Sequence, residues 1–284
     1  MQIEGFEYRD VKVAEDVSLH TAIAGSGPAI VLLHGFPQTH LMWRHVAPRL
    51  AATHTVICPD LRGYGASSKP ADGYAKRTMA QDVVNLADAL GFERFALAGH
   101  DRGALVAFRA GLDHPDRITD LTILDVLPTL DMWEVLHGVD ATVAFHLYLM
   151  AQPRPLPEQL IAGAPDAFFG FFLDLWGITP FDPEIKAAYL QASREAIPSI
   201  VADYRASAST DIDHDRADRA ASRTLAMPTT VVQQDWGAAL GFDAAALWRP
   251  WAPALTHRTV TSGHFMAEDD PELITEVLLA VSRN

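Results

Sequence analysis

Short apolar runs alternate with amphipathic stretches along the first 128 residues of the chain. Alternating apolar positions within residues 1–25 predict two antiparallel strands. Further apolar runs predict strands at Ala29–Leu33, Thr55–Cys58, Phe95–Ala98 and Leu121–Leu124. Helical patterns predict helices around Met42–Leu50, Thr78–Leu90 and Ala104–Ala110. This alternation predicts an α/β fold, with a mostly parallel, twisted sheet, right-handed crossovers and flanking helices.

The pattern changes at Pro128 and returns to strands at Pro228. Residues 129–213 are helical in pattern, rich in aromatic side chains and interrupted by prolines. Beyond them the sequence predicts strands at Pro228–Val232 and Thr256–Val260, and helices at Ala244–Trp251 and Pro271–Val281. We therefore predict a core domain of residues 1–128 and 214–284. Residues 129–213 form an inserted helical cap over the carboxyl ends of the strands, where open α/β sheets bind ligands.

Composition and net charge indicate how the chain folds, where it is located and what kind of molecule it binds. A chain of 284 residues with 49% hydrophobic content buries one large core without a metal or a disulfide. We expect a cytoplasmic location for three reasons. The chain has a single cysteine, Cys58, its amino terminus shows no signal-peptide pattern, and it has no apolar run of about 18 residues. A net charge of −14 repels phosphate backbones and anionic membranes, so we expect a small-molecule substrate and neither nucleic-acid nor membrane binding.

The most informative motif is Gly99-His-Asp-Arg-Gly103, which lies between a predicted strand and a predicted helix. It places Asp101 where the strand–turn–helix motif Gly-x-Ser-x-Gly carries a nucleophilic serine. A carboxylate is ionised at neutral pH and needs no base to activate it. Its attack on a saturated carbon leaves an ester that water opens, whereas a serine would leave an ether. The motif therefore predicts displacement at saturated carbon, such as dehalogenation or epoxide opening; the alternative is that Asp101 only caps the helix.

Two further residues complete a nucleophile–acid–histidine order along the chain. Asp125 ends an apolar strand, and His264 follows the last predicted strand. Asp235, near the end of another strand, is an alternative for the acid. The backbone N–H groups of Phe36 and Arg102 are predicted to hold the oxyanion that forms when water attacks the ester.

Several motifs now support a family resemblance. They are His34-Gly-Phe-Pro-Gln38, Asp60-Leu-Arg-Gly-Tyr-Gly-Ala-Ser-Ser-Lys-Pro70, Gly91-Phe-Glu-Arg-Phe95, Gly99-His-Asp-Arg-Gly103, Leu124-Asp-Val-Leu-Pro128, Ala151-Gln-Pro153, Asp203-Tyr-Arg205 and Ser262-Gly-His-Phe265. With them the chain resembles α/β hydrolases of the branch that holds haloacetate (including fluoroacetate) dehalogenases and epoxide hydrolases. The resemblance implies an α/β-hydrolase fold, a homodimer and an Asp–His–Asp triad.

The resemblance also implies roles around the triad. Arg102 would hold a substrate carboxylate, His146 and Tyr204 would donate hydrogen bonds to the departing halide, and Trp176 would form a pocket wall. Each has a structural alternative: Arg102 pairs with a nearby acid, and the other three are packing residues of an apolar core. In the haloacetate pattern a second arginine and a tryptophan stand where this chain has Leu105 and Leu147.

These departures leave the substrate open. We predict a 2-haloacid dehalogenase that forms a 2-hydroxy acid. The alternatives are an epoxide hydrolase with the same Asp101, a small-molecule receptor without activity, and a structural or partner-binding protein. No dinucleotide-binding or P-loop motif occurs, and no histidine spacing is typical of a metal site, so we predict no cofactor and no metal.

Overall fold

The computed structural model describes residues 1–281 and contains a single sheet of eight strands in the order β1-β2-β4-β3-β5-β6-β7-β8. The strands are β1 Glu7–Ala14, β2 Val17–Ala24, β3 Ala29–Leu33, β4 Thr55–Pro59, β5 Phe95–His100, β6 Ile118–Leu124, β7 Thr229–Gln234 and β8 Leu255–Val260. Strand β2 pairs antiparallel with β1 and β4, and all other neighbours run parallel. The predicted mostly parallel α/β sheet is confirmed.

Helices fill the connections between the strands. They are α1 Ala47–Leu50, α2 Lys76–Ala89, α3 Arg102–Asp113, α4 Thr129–Val135, α5 Phe145–Met150, α6 Leu156–Gly163, α7 Pro165–Trp176, α8 Pro183–Glu195, α9 Ile197–Ser207, α10 Thr210–Ala220, α11 Trp236–Leu240, α12 Ala244–Trp248, α13 Met266–Asp269 and α14 Pro271–Val281. Among the described residues, none of these helices combines the length and apolar character that a membrane span requires.

One predicted helix is wrong in detail. The segment around Met42–Leu50 contains a 3₁₀ turn at His40–Trp43 and, separately, the short helix α1. Pro48 lies in the first turn of α1, where its missing N–H is tolerated. The same proline would lose a hydrogen bond inside one continuous helix, so the segment divides in two.

Both faces of the sheet are covered by apolar side chains, which explains the continuous apolar runs of the parallel strands. In β3, Val31 and Leu33 pack into the same core as α2 and α3, while Ile30 and Leu32 pack with α1 and α14. All four side chains are at most 1% exposed. The chemistry-bearing residues therefore have to lie at the strand ends.

Every regular element described between β6 and β7 is helical, as predicted. The predicted boundary at 213/214, however, falls inside α10, which continues to Ala220. Its second half is held on the core by ion pairs from Arg109 of α3 to Asp215 (2.6 Å) and Asp218. Helix α10 thus runs from the insertion onto the core, and the periodicity of the sequence does not mark that transition.

The strand register brings the candidate residues to one edge. Leu33 lies beside Gly99, His100 beside Leu124, and Leu124 beside Val232. Parallel strands place their carboxyl ends together, so the residues that follow β3, β5, β6 and β7 meet at this edge.

Candidate active site

Asp101 occupies a strained turn, the elbow, between β5 and α3. Its backbone has φ 48° and ψ −114°, a conformation that side-chain-bearing residues rarely adopt. Glycines make the turn possible: a Cβ on Gly99 or on Gly103 would lie 2.4 Å from a backbone carbonyl oxygen. The Asp101 side chain makes no hydrogen bond that caps α3. The alternative in which Asp101 is merely a helix cap is therefore wrong.

The two carboxylate oxygens of Asp101 have different surroundings. Oδ1 accepts a hydrogen bond of 2.8 Å from the backbone N–H of Phe36. Oδ2 lies 4.0 Å from Nε2 of His264, too far for a direct hydrogen bond. Buried Nε2 has no hydrogen-bond partner within residues 1–281. One oxygen is held in place while the other faces an imidazole nitrogen that is free to take a proton.

His264 is oriented by Asp125, whose side chain is buried. Nδ1 of His264 lies 2.7 Å from Oδ2 of Asp125. Burial disfavours the charged imidazole, but the hydrogen bond and charge of Asp125, with the charge of Asp101, outweigh it and raise the pKa of His264 above its usual 6.5. The alternative acid, Asp235, is exposed and accepts a hydrogen bond from the Ala238 N–H at 2.9 Å. The structure thus places Asp125, and not Asp235, against His264.

Sequence reasoning missed two residues that support this pair. Gln234, the last residue of β7, donates to Asp125 twice, from its backbone N–H to Oδ1 at 2.9 Å and from Nε2 to Oδ2 at 2.6 Å. His100 Nε2 donates to the backbone carbonyl of His264 at 2.8 Å. Burial, with the charge of His264, lowers the pKa of His100 to about 4, so its ring is neutral at pH 7. The position of Gln234, at the end of the strand beside that of Asp125, was the signal available in the sequence.

The Arg102 guanidinium is largely paired within the protein. Its side chain is 1% exposed and forms a two-point ion pair with Asp203, Nε to Oδ2 at 2.9 Å and Nη2 to Oδ1 at 2.8 Å. Nη2 also donates to Ser207 at 2.7 Å, and the guanidinium lies 4.1 Å from the ring centre of Tyr204. Nη1 has no hydrogen bond to any described residue, so one nitrogen of three is left for a ligand. The structure thus shows Arg102 paired with a nearby acid, which is the alternative stated for this residue.

The predicted second oxyanion donor, the backbone N–H of Arg102, lies in the first turn of α3. N–H groups in that turn have no partner within the helix. This one makes no hydrogen bond to any residue that the structure describes. It therefore has no competing partner there, while the Phe36 N–H already holds Oδ1 of Asp101.

Three side chains of the helical insertion, those of His146, Trp176 and Tyr204, pack close to Phe36 and His264. His146 packs between the rings of Phe36 (6.0 Å between centroids), Trp176 (5.1 Å) and Tyr204 (5.6 Å). Burial lowers the pKa of His146 to about 3, so the ring is neutral at pH 7 and donates from one nitrogen only. Tyr204 is 1% exposed, its ring packs against those of Phe36 and His146, and its hydroxyl has no hydrogen-bond partner in the described part of the chain. Buried polar groups without partners are rare and are typical of ligand sites.

These residues enclose one end of a cavity of about 570 Å³. Asp101, Arg102, His146 and His264 line its polar end, and the indole of Trp176 forms a wall whose ring centre lies 5.0 Å from that of His264. Leu105 and Leu147 also line the cavity and are buried. A cavity of this size with a few converging polar groups is typical of a small-molecule site.

Three features are typical of an α/β hydrolase: a mostly parallel sheet, a strained turn that carries Asp101 between a strand and a helix, and a histidine that faces Asp101. The chain belongs to the α/β-hydrolase fold family, whose model matches residues 28–271. It is 40% identical to a fluoroacetate dehalogenase of Burkholderia sp over 286 residues, which covers 97% of this chain and 93% of that relative. It is 33% identical to a soluble epoxide hydrolase of Corynebacterium sp. (strain C12), with 92% of each chain covered. A solved structure of a Nostoc sp PCC 7120 protein, 36% identical, matches with a TM-score of 0.95 over 100% of both chains. The protein is thus a hydrolase close to dehalogenases and epoxide hydrolases.

Proposed function

We propose that the protein hydrolyses 2-haloacids through an ester on Asp101 and releases a 2-hydroxy acid and halide. The observation that carries this proposal is the asymmetric setting of the Asp101 carboxylate, with Oδ1 held by the Phe36 N–H and Oδ2 facing His264. The similarity to a fluoroacetate dehalogenase along nearly the whole chain supports the haloacid as substrate.

In the first step, Oδ2 of Asp101 attacks the carbon that bears the halogen, from the side opposite the leaving group. The carbon–halogen bond breaks, and halide leaves with its electron pair. The neutral His146 and the Tyr204 hydroxyl are the nearby donors for that anion, since neither has a hydrogen-bond partner among the described residues. The substrate carboxylate lies against the remaining nitrogen, Nη1, of Arg102.

In the second step, Nε2 of His264 takes a proton from water, and the resulting hydroxide attacks Cγ of Asp101. The negative charge develops on Oδ1, where the Phe36 and Arg102 N–H groups hold it. Collapse breaks the bond between Cγ and Oδ2, so Oδ2 leaves as the hydroxyl oxygen of the 2-hydroxy acid and takes the proton back from His264. The oxygen of the attacking water stays in the regenerated Asp101 carboxylate. Asp125 stabilises the charged imidazole in between.

An epoxide hydrolase is the second candidate, favoured by two observations. The Arg102 guanidinium is largely committed to Asp203, and Leu105 brings an apolar side chain to the cavity in place of a second cation. The same Asp101 would open the ring, while the unpartnered Tyr204 hydroxyl would donate its proton to the ring oxygen.

Parallel assays separate the candidates. We expect halide release from chloroacetate and 2-bromopropanoate, and no diol from styrene oxide. Diol formation without halide release would replace the first candidate by the second. Binding of these compounds without any turnover would instead indicate a receptor and contradict both.

A further inference from the structure

Part of the cavity wall is apolar and takes no part in the two proposed steps. It consists of Leu105 of α3, Val126 after β6, Met132 and Leu136 at α4, and Leu147 of α5. These five side chains, the apolar subsite, line the cavity and are each at most 5% exposed. A ligand group that lies against them therefore has little contact with solvent.

The cavity mouth is different. Val143, Leu175 and Ile178 also line the cavity but are 51%, 60% and 66% exposed. A ligand thus enters past exposed apolar side chains, and the part of it that lies against the apolar subsite loses its contact with water.

Volume and charge limit what fits there. Cavities of about 300–1,000 Å³ enclose drug-sized ligands, and this one measures about 570 Å³. A two-carbon haloacid bound at Asp101 leaves most of that space unfilled. No side chain of the apolar subsite is charged or hydrogen-bonding, so a polar arm would lose its hydration without compensation. An uncharged hydrocarbon arm gains free energy from the same burial.

Resting on the proposed function, we propose that the true substrate carries an apolar arm of several carbons on the carbon that Asp101 attacks. The arm lies against Leu105, Met132, Leu136 and Leu147, while the reacting carbon stays between Asp101 and His146. The substrate class is then a medium-chain or aryl-substituted 2-haloacid rather than a haloacetate.

The test compares kcat/KM for bromoacetate, 2-bromobutanoate and 2-bromohexanoate. Each methylene that enters the apolar subsite is expected to raise kcat/KM about fourfold, the equivalent of about 0.8 kcal/mol. Leu136→Trp fills the subsite and is expected to remove the increase with chain length. Leu160→Trp, a matched change at an exposed cap leucine that does not line the cavity, is expected to keep it. A thermal melt checks that Leu136→Trp folds, and Met132→Phe is the second filling variant.

A flat or falling chain-length series in the parent protein overturns the proposal, and so does a rising series that both filling variants retain. The proposed function fails separately, by the lack of halide release from every bromoacid. In that case the affinities of 2-hydroxybutanoate and 2-hydroxyhexanoate, measured by calorimetry, still decide on the subsite. Tighter binding of the longer acid supports it, and equal, weaker or undetectable binding contradicts it.

Discussion

At the scale of single residues, Asp101, Asp125 and His264 meet beyond the carboxyl ends of the strands, and Arg102 beside Asp101 is paired with Asp203 of α9. The sequence predicts these three residues because Asp101 and Asp125 directly follow apolar strands and His264 follows the last strand, and parallel strands bring such positions together. The partner of Arg102 was missed because Asp203 lies about a hundred residues further along the chain, on a cap helix. No local sequence pattern connects Arg102, in the turn after β5, with Asp203, in the insertion. The pair is seen only in the folded structure, where α9 packs against the core.

The raised pKa of His264 predicts how the hydrolytic step depends on pH. His264 must be neutral to take a proton from water, and its pKa lies above the usual 6.5 because Asp125 and Asp101 outweigh the effect of burial. The ester on Asp101 carries no charge, so the midpoint for ester hydrolysis is expected to lie below the pKa of His264 in the free protein. The rate is expected to rise with pH through that midpoint and then to level off. In Asp125→Asn the negative partner is lost, so the midpoint is expected to move to lower pH and the plateau to fall. Single-turnover kinetics across pH measure both; an unchanged midpoint would contradict the assignment of Asp125.

Asp235 provides the matched comparison for that variant. Its carboxylate is exposed and accepts a hydrogen bond only from the Ala238 N–H. Asp235→Asn is therefore expected to leave the hydrolytic rate little changed. If Asp235→Asn stalls hydrolysis and Asp125→Asn does not, the acid of the triad has been misassigned.

Gln234 is expected to act as a positioning residue. Its Nε2 donates to the same Asp125 oxygen that faces His264, so Gln234→Leu removes one hydrogen bond to a charged group. Such a bond contributes about 1.5–3 kcal/mol, which corresponds to a roughly 10- to 150-fold slower hydrolytic step. Formation of the ester on Asp101 is expected to proceed at its normal rate, because that step does not use Asp125. Rapid-quench measurements separate the two steps; equal losses in both would indicate general misfolding instead.

Leu105 and Leu147 predict the order of halides. Both are buried, apolar side chains in the cavity wall, where the haloacetate pattern has a second arginine and a tryptophan. Fluoride depends most on donors when it leaves, so chloroacetate and bromoacetate are expected to react faster than fluoroacetate. Leu105→Arg combined with Leu147→Trp is expected to raise the fluoroacetate rate relative to chloroacetate. A parent protein that already releases fluoride faster than chloride would contradict this account.

At the scale of elements, helix α9 of the insertion contacts the core through a buried group of charged side chains. Asp203 of α9 accepts hydrogen bonds from Arg102, from the hydroxyl of Tyr64 at 2.6 Å, and from Lys76 at the start of α2. The two cations outweigh the effect of burial and hold the pKa of Asp203 well below its usual range. The sequence predicts the apolar strands of the core to within three residues at each end, because burial on both faces leaves a continuous apolar run. The course of α10 and this junction depend on ion pairs between distant elements, which periodicity does not show.

This junction predicts a large loss of stability in Asp203→Asn. The substitution leaves the buried Lys76 and Arg102 without their anion, and breaking one side of a buried ion pair costs about 3–5 kcal/mol. Asp174→Asn, which breaks an exposed pair with Lys186 on the cap surface, is the control and is expected to change little. Urea unfolding of the three proteins measures the difference. A free energy of unfolding in Asp203→Asn equal to that of the control would contradict the proposed junction.

At the scale of the whole molecule, the sheet sets the positions of the reacting groups and the helical insertion covers them. Oδ1 of Asp101 is held from the β3 side, while the β6, β7 and β8 sides hold Asp125 and His264. The insertion contributes His146, Tyr204 and the carbonyl of Trp176, which accepts a hydrogen bond of 2.8 Å from the His264 N–H. Under the proposed function, the core carries both steps on Asp101 and the insertion contacts the substrate.

The most direct test of the account is to stop the reaction between its two steps. In His264→Gln the attack by Asp101 remains possible, but the base that activates water is lost. The variant is mixed with a haloacid that the parent protein converts. Intact-mass spectrometry is then expected to show a protein whose mass has increased by that of the carboxyalkyl group, which is the haloacid without its halogen. Peptide mapping is expected to place it on Asp101, and the added mass is expected to be absent when Asp101 is also replaced by Asn. An active parent protein whose His264→Gln variant forms no adduct on Asp101 would contradict the ester mechanism.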